Sequence, residues 1–206
     1  SLWHNLAVSA LRYPHKTALH FFDAQLSYAQ LLQKSEQLAQ YLRRLGVKKG
    51  DRVALGLQNC PQFVVAVFAV LRLDAVVVPV NPMNRAQELA HYITDPDTAV
   101  AIVAADLSPD WASAHHALPL GKGLQHLLVT HYADGFGPQA QADMPADWVS
   151  WLTEQHPLPV LQGAQAHSWG QAMAASAPAE PLLPVTAGQD DLCLLPDGSP
   201  ARIDKA

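Results

Sequence analysis

Apolar positions along this 206-residue chain follow two spacings, a helical i, i+3, i+4 repeat and short unbroken runs, and their alternation predicts the elements. Over 2–11, Leu2, Leu6 and Ala10 fall on one face and Pro14 follows, which predicts a helix that ends before the proline. Thr17-Ala18-Leu19-His20-Phe21-Phe22 reads as a strand, Asp23-Ala24 as a turn and Gln25-Leu26 as a short return strand. Ser27 is placed to cap the next helix, with Gln30 three residues on as in a capping box. Over 28–45, Leu31, Leu32, Leu38, Tyr41, Leu42 and Leu45 recur at helical spacing, and Gly46 is the stop.

Arg52-Val53-Ala54-Leu55-Gly56-Leu57 is the first run expected to be a buried parallel strand. Asn59 and Pro61 open a helix over 62–73, and its apolar residues (Phe63, Val64, Val65, Val67, Phe68, Val70, Leu71) point all round. Such a helix should be buried rather than amphipathic. A strand over 75–80, a helix over 85–93 and strands over 99–104 and 124–130 follow. Helix and buried strand alternating in this way predict an α/β fold, a parallel sheet with helices on both faces. After 131 the chain turns to Ala, Gly, Gln and Pro, with short helices expected at 147–154 and 168–175. Residues 131–189 read as an irregular surface excursion, too poor in large apolar residues for a core of their own. Strand character returns at 191–196. The organisation expected is thus one α/β unit over 1–196 and an atypical tail over 197–206.

Composition narrows the function classes. Half the residues are hydrophobic and 15% charged, too apolar for disorder and too charged for a membrane bundle. A net charge of −5 argues against a nucleic-acid partner. Arg43-Arg44 and Lys48-Lys49 read as the solvated end of a helix. The apolar stretch 63–80 is broken by Arg72, Asp74 and Pro79, so no integral membrane segment is expected. The opening Ser1-Leu2-Trp3-His4-Asn5 shows no secretory pattern, and Cys60 and Cys193 read as buried reduced thiols, which together suggest a cytoplasmic protein. The ten histidines are scattered, and the side chains of His115-His116 are expected to diverge. No metal-ligand spacing occurs, so no metal residue is assigned.

Three motifs, in order and at matching intervals, carry a resemblance. They are Leu26-Ser27-Tyr28-Ala29-Gln30-Leu31, then Gly50-Asp51-Arg52-Val53-Ala54 with Asn59-Cys60-Pro61-Gln62-Phe63, then Leu71-Arg72-Leu73-Asp74-Ala75-Val76-Val77-Val78-Pro79-Val80-Asn81. Arg12-Tyr13-Pro14-His15-Lys16-Thr17-Ala18 adds a fourth. Together they resemble the N-terminal part of the AMP-forming acyl-CoA synthetases and their adenylating relatives, over about 2–196. The wording Val80-Asn81-Pro82-Met83 leans toward long-chain fatty-acid–CoA ligases. Asp74 stands where that family has glycine, so a left-handed backbone is expected there and Asp74→Gly should be neutral or stabilising by up to roughly 1 kcal/mol.

The resemblance also implies a Thr-Ser-Gly-Thr-Thr-Gly loop for the ATP phosphates beginning at about Asp197. Here the chain reads Asp197-Gly198-Ser199-Pro200-Ala201-Arg202-Ile203-Asp204-Lys205-Ala206. Arg202 faintly echoes the place of a catalytic lysine near the family's C-terminus, but an arginine fork is no equivalent and it receives no role. No catalytic, cofactor-binding or metal residue is therefore assigned. The resemblance implies an N-terminal ligase fragment that brings scaffold only and is inactive alone. ATP, Mg and CoA would serve the full-length family member, with the remainder of the ligase and a fatty acid as partners, and an uncovered apolar face would favour self-association. The alternative is a stand-alone non-catalytic α/β interaction module. An unrelated nucleotide-binding domain fits less well, since no GxGxxG or GxxxxGKS follows a strand and Gly121-Lys122-Gly123 precedes one.

Overall fold

The computed structural model describes residues 1–135, 144–154, 156–174, 182–188 and 190–195. The tail expected over 197–206, with Arg202, lies outside them. Helix α1 (Leu2–Arg12) buries Trp3, Leu6 and Ala10 and leaves Leu2 half exposed. Its inner face is therefore set by Trp3, not Leu2, because the indole packs into the core under the Arg72 guanidinium, 5.5 Å from the ring centroid. Strands β1 (Thr17–Phe21) and β2 (Ala24–Ser27) make an antiparallel hairpin. Helix α2 (Tyr28–Arg44) opens on the expected capping box: Ser27 Oγ accepts from Gln30 N–H at 3.3 Å, and Gln30 Oε1 accepts from Ser27 N–H at 2.8 Å. Gly46, at φ 95°, ends it.

The main body comprises β3 (Arg52–Gly56), α3 (Pro61–Arg72), β4 (Val76–Pro79), α4 (Ala86–Thr94), β5 (Val100–Ala104), α5 (Ser108–His116), β6 (His126–Thr130), α6 (Ala146–Thr153), β7 (Gln165–Ser168) and α7 (Trp169–Ala174). The five strands pair in the order β4-β3-β5-β6-β7, all parallel, and the first four of them in chain order are those the sequence predicts. Alternate side chains build two cores. Val53, Leu55, Val77, Ile102 and Leu128 pack against α1, α2, α3 and α7, while Ala54, Val78, Ala101, Val103 and Leu127 pack against α4 and α5.

Several expectations need correction. Helix α3 is not buried all round: Phe63, Val64, Val67 and Phe68 form a half-buried outer stripe. Helix α5 and strand β7 were not anticipated, and β7 joins the sheet from within 131–189. The strand expected at 191–196 reduces to one parallel bridge between Val77 and Leu194, where Val77 N–H donates to Cys193 O at 3.0 Å and Leu195 N–H to Val77 O at 2.9 Å. Cys60 is buried, but Cys193 only half so. His115 and His116 do not diverge. Their rings meet edge to face at 5.5 Å because both clasp Gln162: His115 Nε2–H donates to its carbonyl at 2.9 Å, and His116 Nε2 accepts its N–H at 3.4 Å. Asp74 is left-handed as expected, at φ 55°, yet its Oδ2 also accepts from Thr186 N–H at 2.7 Å and Thr186 Oγ1–H at 2.9 Å. Glycine there would lose both bonds, so a net cost is expected in place of the neutral outcome read from backbone alone. No helix among the described residues is long and apolar enough to cross a membrane.

A relay of polar side chains fastens β7 to α2. Tyr41 OH lies 2.9 Å from His167 Nδ1, and His167 Nε2 lies 3.1 Å from His126 Nδ1. Burial lowers the pKa of both rings, with His167's charge adding to the effect on His126. Burial raises that of Tyr41 against the opposing charge of Arg44. The folded chain therefore holds fewer protons on this pair than the unfolded chain does near the ordinary value of 6.5. Stability from this source is complete above that value and is lost as pH falls through it toward the lower folded values. Thermal melts should show the midpoint falling from roughly pH 7 to pH 5.5, with a shallower slope in His126→Gln. An unchanged slope in that variant would contradict the assignment.

Candidate functional site

Adjacent strands β3 and β5 send their following helices to opposite faces, α3 to one and α5 to the other. The loops at their carboxyl ends diverge and leave a crevice, the place where open α/β sheets bind ligands. Gln58 and Asn59 enter it from β3, Asp106 from β5, and His131 and Tyr132 from β6. Buried Gln62, in the first turn of α3, holds the β6 loop by donating from Nε2 to the carbonyls of His131 at 2.8 Å and Tyr132 at 3.3 Å.

Tyr132 fills the centre of the crevice. Its hydroxyl accepts from Gln58 N–H at 3.5 Å, and burial, with smaller contributions from the charges of Asp106 and Cys60, pushes its pKa to about 12 despite that bond. Beside it, burial raises the Asp106 carboxyl above the usual range, opposed by backbone N–H groups and by His156. Asp106 Oδ1 is buried without a hydrogen-bond partner among the described residues. His131 and His156 stack at 6.1 Å, and His131 Nε2 accepts His156 N–H at 3.4 Å. A cavity of about 10 Å³ separates these groups from Trp151 and Glu154.

Two larger pockets flank the crevice. One, of about 490 Å³, lies between the β1–β2 hairpin and α6, lined by Phe21, Phe22, Tyr132, Trp148 and Trp151. The other, of about 480 Å³, lies beyond Asn59, toward Phe63 and the turn that follows β4. That turn is fixed by Asn81, whose Oδ1 accepts Met83 N–H at 3.0 Å.

The turns that follow β3, β4 and β5 contain no glycine. Arg85, at the start of α4, is paired with Asp110 at 3.0 Å. Burial raises the Cys60 thiol, so it is no ready nucleophile. Gly121-Lys122-Gly123 sits before β6, at the other end of the sheet, and its glycines have packing reasons. Gly121 has φ 81°, and a Cβ at Gly123 would stand 2.3 Å from His115 Nδ1. Among the described residues no group of three or more His, Cys, Asp or Glu could hold a metal. Sequence reasoning assigned no site residue. The sequence alone does not single out Asp106, His131, Tyr132 or His156; for the first three, position after a predicted strand was the available signal. Trp148 and Trp151 were also missed, although two tryptophans one turn apart stand out in an Ala- and Pro-rich stretch.

Comparison with known proteins bears on the whole arrangement. The family model described as AMP-binding enzyme matches residues 6–195. The long-chain-fatty-acid–CoA ligase of Bacillus subtilis (strain 168) is 38% identical over 104 residues, which cover 50% of this chain and 19% of that protein. The ligase of the same description from Salmonella typhimurium is 33% identical over 127 residues, 61% of this chain and 22% of that one. The chain thus spans about a fifth of the length of these curated relatives. Among solved structures, a benzoate CoA ligase from Burkholderia xenovorans LB400 superposes with a TM-score of 0.68 over 93% of this chain and 31% of that one. At 19% identity it supports the fold alone. A Mycobacterium tuberculosis fatty acyl CoA synthetase superposes with a TM-score of 0.57 at 28% identity, over 70% of this chain and 29% of that one.

Proposed function

Because the chain belongs to the AMP-binding enzyme family and corresponds to the N-terminal region of its acyl-CoA synthetases, we propose that it is scaffold for an ATP-dependent long-chain fatty-acid–CoA ligase and forms no acyl adenylate alone. The carrying observation is the family match over 6–195 together with fatty-acid ligase relatives at 38% and 33% identity. Two features of the chain support the scaffold role. The turns after β3, β4 and β5 lack glycine, and the segment around Leu194 enters beside β4 in parallel, so its carboxyl end faces the same way as Gln58 and Asn81.

In this reading the remainder of the ligase brings the groups that hold ATP, Mg and CoA, and the fatty acid binds through the assembled enzyme. Residues 1–196 act as one α/β unit, with 131–189 an excursion that returns to the sheet through β7. The half-buried stripe of Phe63, Val64, Val67 and Phe68 on α3 is the face the remainder of the ligase would cover, and its exposed part favours self-association. The enzyme works in the cytoplasm.

A chimaera tests the proposal. Residues 6–195 replace the matching segment of the Bacillus subtilis ligase, and ATP-dependent thioester formation with palmitate and CoA is measured. The expected result is activity within about a hundredfold of the parent, since the exchanged part brings scaffold and no reacting group. A chimaera that folds and melts cooperatively yet makes no thioester would contradict it.

A further inference from the structure

The walls of the 490 Å³ pocket are not what folding alone asks for. Phe22, at the tip of the β1–β2 hairpin, is held at φ 52° in the left-handed region. The two-residue hairpin loop Phe22-Asp23 asks for that conformation, yet a bulky side chain rarely fills it. The turn costs stability and turns a half-exposed ring toward Trp148, edge to face at 6.3 Å. Trp148 and Trp151 stand one helical turn apart on α6, and both are roughly half exposed. The three rings rim the cavity instead of closing it, and its volume lies in the range of small-molecule sites.

The charge at the rim is equally specific. Gln58 and Asn59 offer neutral amide groups at the carboxyl end of β3, and Asp147 brings a carboxylate. No Lys, Arg or His is among the described residues that line it. Tyr132, which separates this pocket from the Asp106 crevice, stays a neutral phenol at physiological pH because its pKa is about 12.

We propose that this pocket binds a neutral ring-bearing molecule, packed against Phe22, Trp148 and Trp151 and hydrogen-bonded by the amides of Gln58 and Asn59, and that it rejects carboxylates. Aromatic walls favour a flat partner through offset and edge contacts. A carboxylate placed there would meet Asp147 and no cation, and an unpaired charge in an apolar site is costly. The pocket is therefore not where the acid group of a ligase substrate would sit, and its ligand does not depend on nucleotide chemistry.

Calorimetric titration of the purified chain with 2-naphthol and with 2-naphthoate at neutral pH tests this. Naphthol is expected to bind and naphthoate to bind at least about tenfold more weakly, with Asp147→Asn narrowing the gap. Trp151→Ala should weaken naphthol binding at least about tenfold. Phe22→Gly should weaken it as well while holding or raising the thermal midpoint, because glycine relieves the backbone. That variant keeps the test open if Trp151→Ala does not fold. Naphthoate binding as tightly as naphthol, naphthol binding that survives both variants, or no binding of naphthol would each overturn the assignment.

Discussion

Trp111→Ala is expected to cost about 3–5 kcal/mol of stability, the range for truncating a fully buried large aromatic. The indole of Trp111, on α5, is 1% exposed and belongs to the core between the sheet and α4 and α5. It crosses the end of β3 so closely that a Cβ on Gly56 would stand 2.8 Å from its Nε1. Gly56→Ala should therefore also destabilise, by about 1–3 kcal/mol from overpacking. The two costs should not add. With the indole gone, the added methyl enters vacated space, so Gly56→Ala in the Trp111→Ala background should cost well under its value alone. Urea unfolding of the four proteins in this cycle measures the coupling. Strict additivity would mean that the indole does not lie over Gly56.

The second large effect falls on the junction between α3 and β4. Asp74→Ala is expected to lose about 2–4 kcal/mol, because alanine resists the left-handed backbone and the charge-assisted bonds to Thr186 disappear. Asp74→Gly keeps the backbone but loses the bonds, so a cost of about 1–2 kcal/mol is expected. Asp74→Asn keeps both an acceptor and tolerance of φ 55°, and should cost under about 1 kcal/mol. The order Ala, Gly, Asn in urea midpoints is the check. A glycine variant as stable as the parent would show that the Thr186 contact contributes nothing and that the residue answers to backbone alone.

Elements whose signal is local could be read from the sequence. The Ser27–Gln30 capping box needs only four residues, and the apolar run at Val53 and the β-branched run at Val76 announce buried parallel strands. Helix α5 hid because one tryptophan bears most of its packing among alanine, serine and histidine, so no stripe of large residues marks it. Strand β7, Gln165-Ala166-His167-Ser168, has no large apolar residue and owes its conformation to β6 and to a tyrosine 126 positions away. The partner of Asp74 is 112 positions distant. The same holds for the candidate site. The family is a linear feature, visible in motif order, whereas the aromatic pocket exists only because the hairpin tip meets α6. The half-buried stripe on α3 was misread as fully buried because composition reports apolarity and not whether neighbours cover it.

Titration of the purified chain with ATP–Mg by calorimetry, with pyrophosphate release followed in the presence of palmitate, tests whether it supplies ligase scaffold without nucleotide chemistry. No binding tighter than about 1 mM is expected, since contacts from scattered exposed lysines are weak and screened by salt, and no pyrophosphate. Micromolar binding, or any release of pyrophosphate by the chain alone, would contradict it.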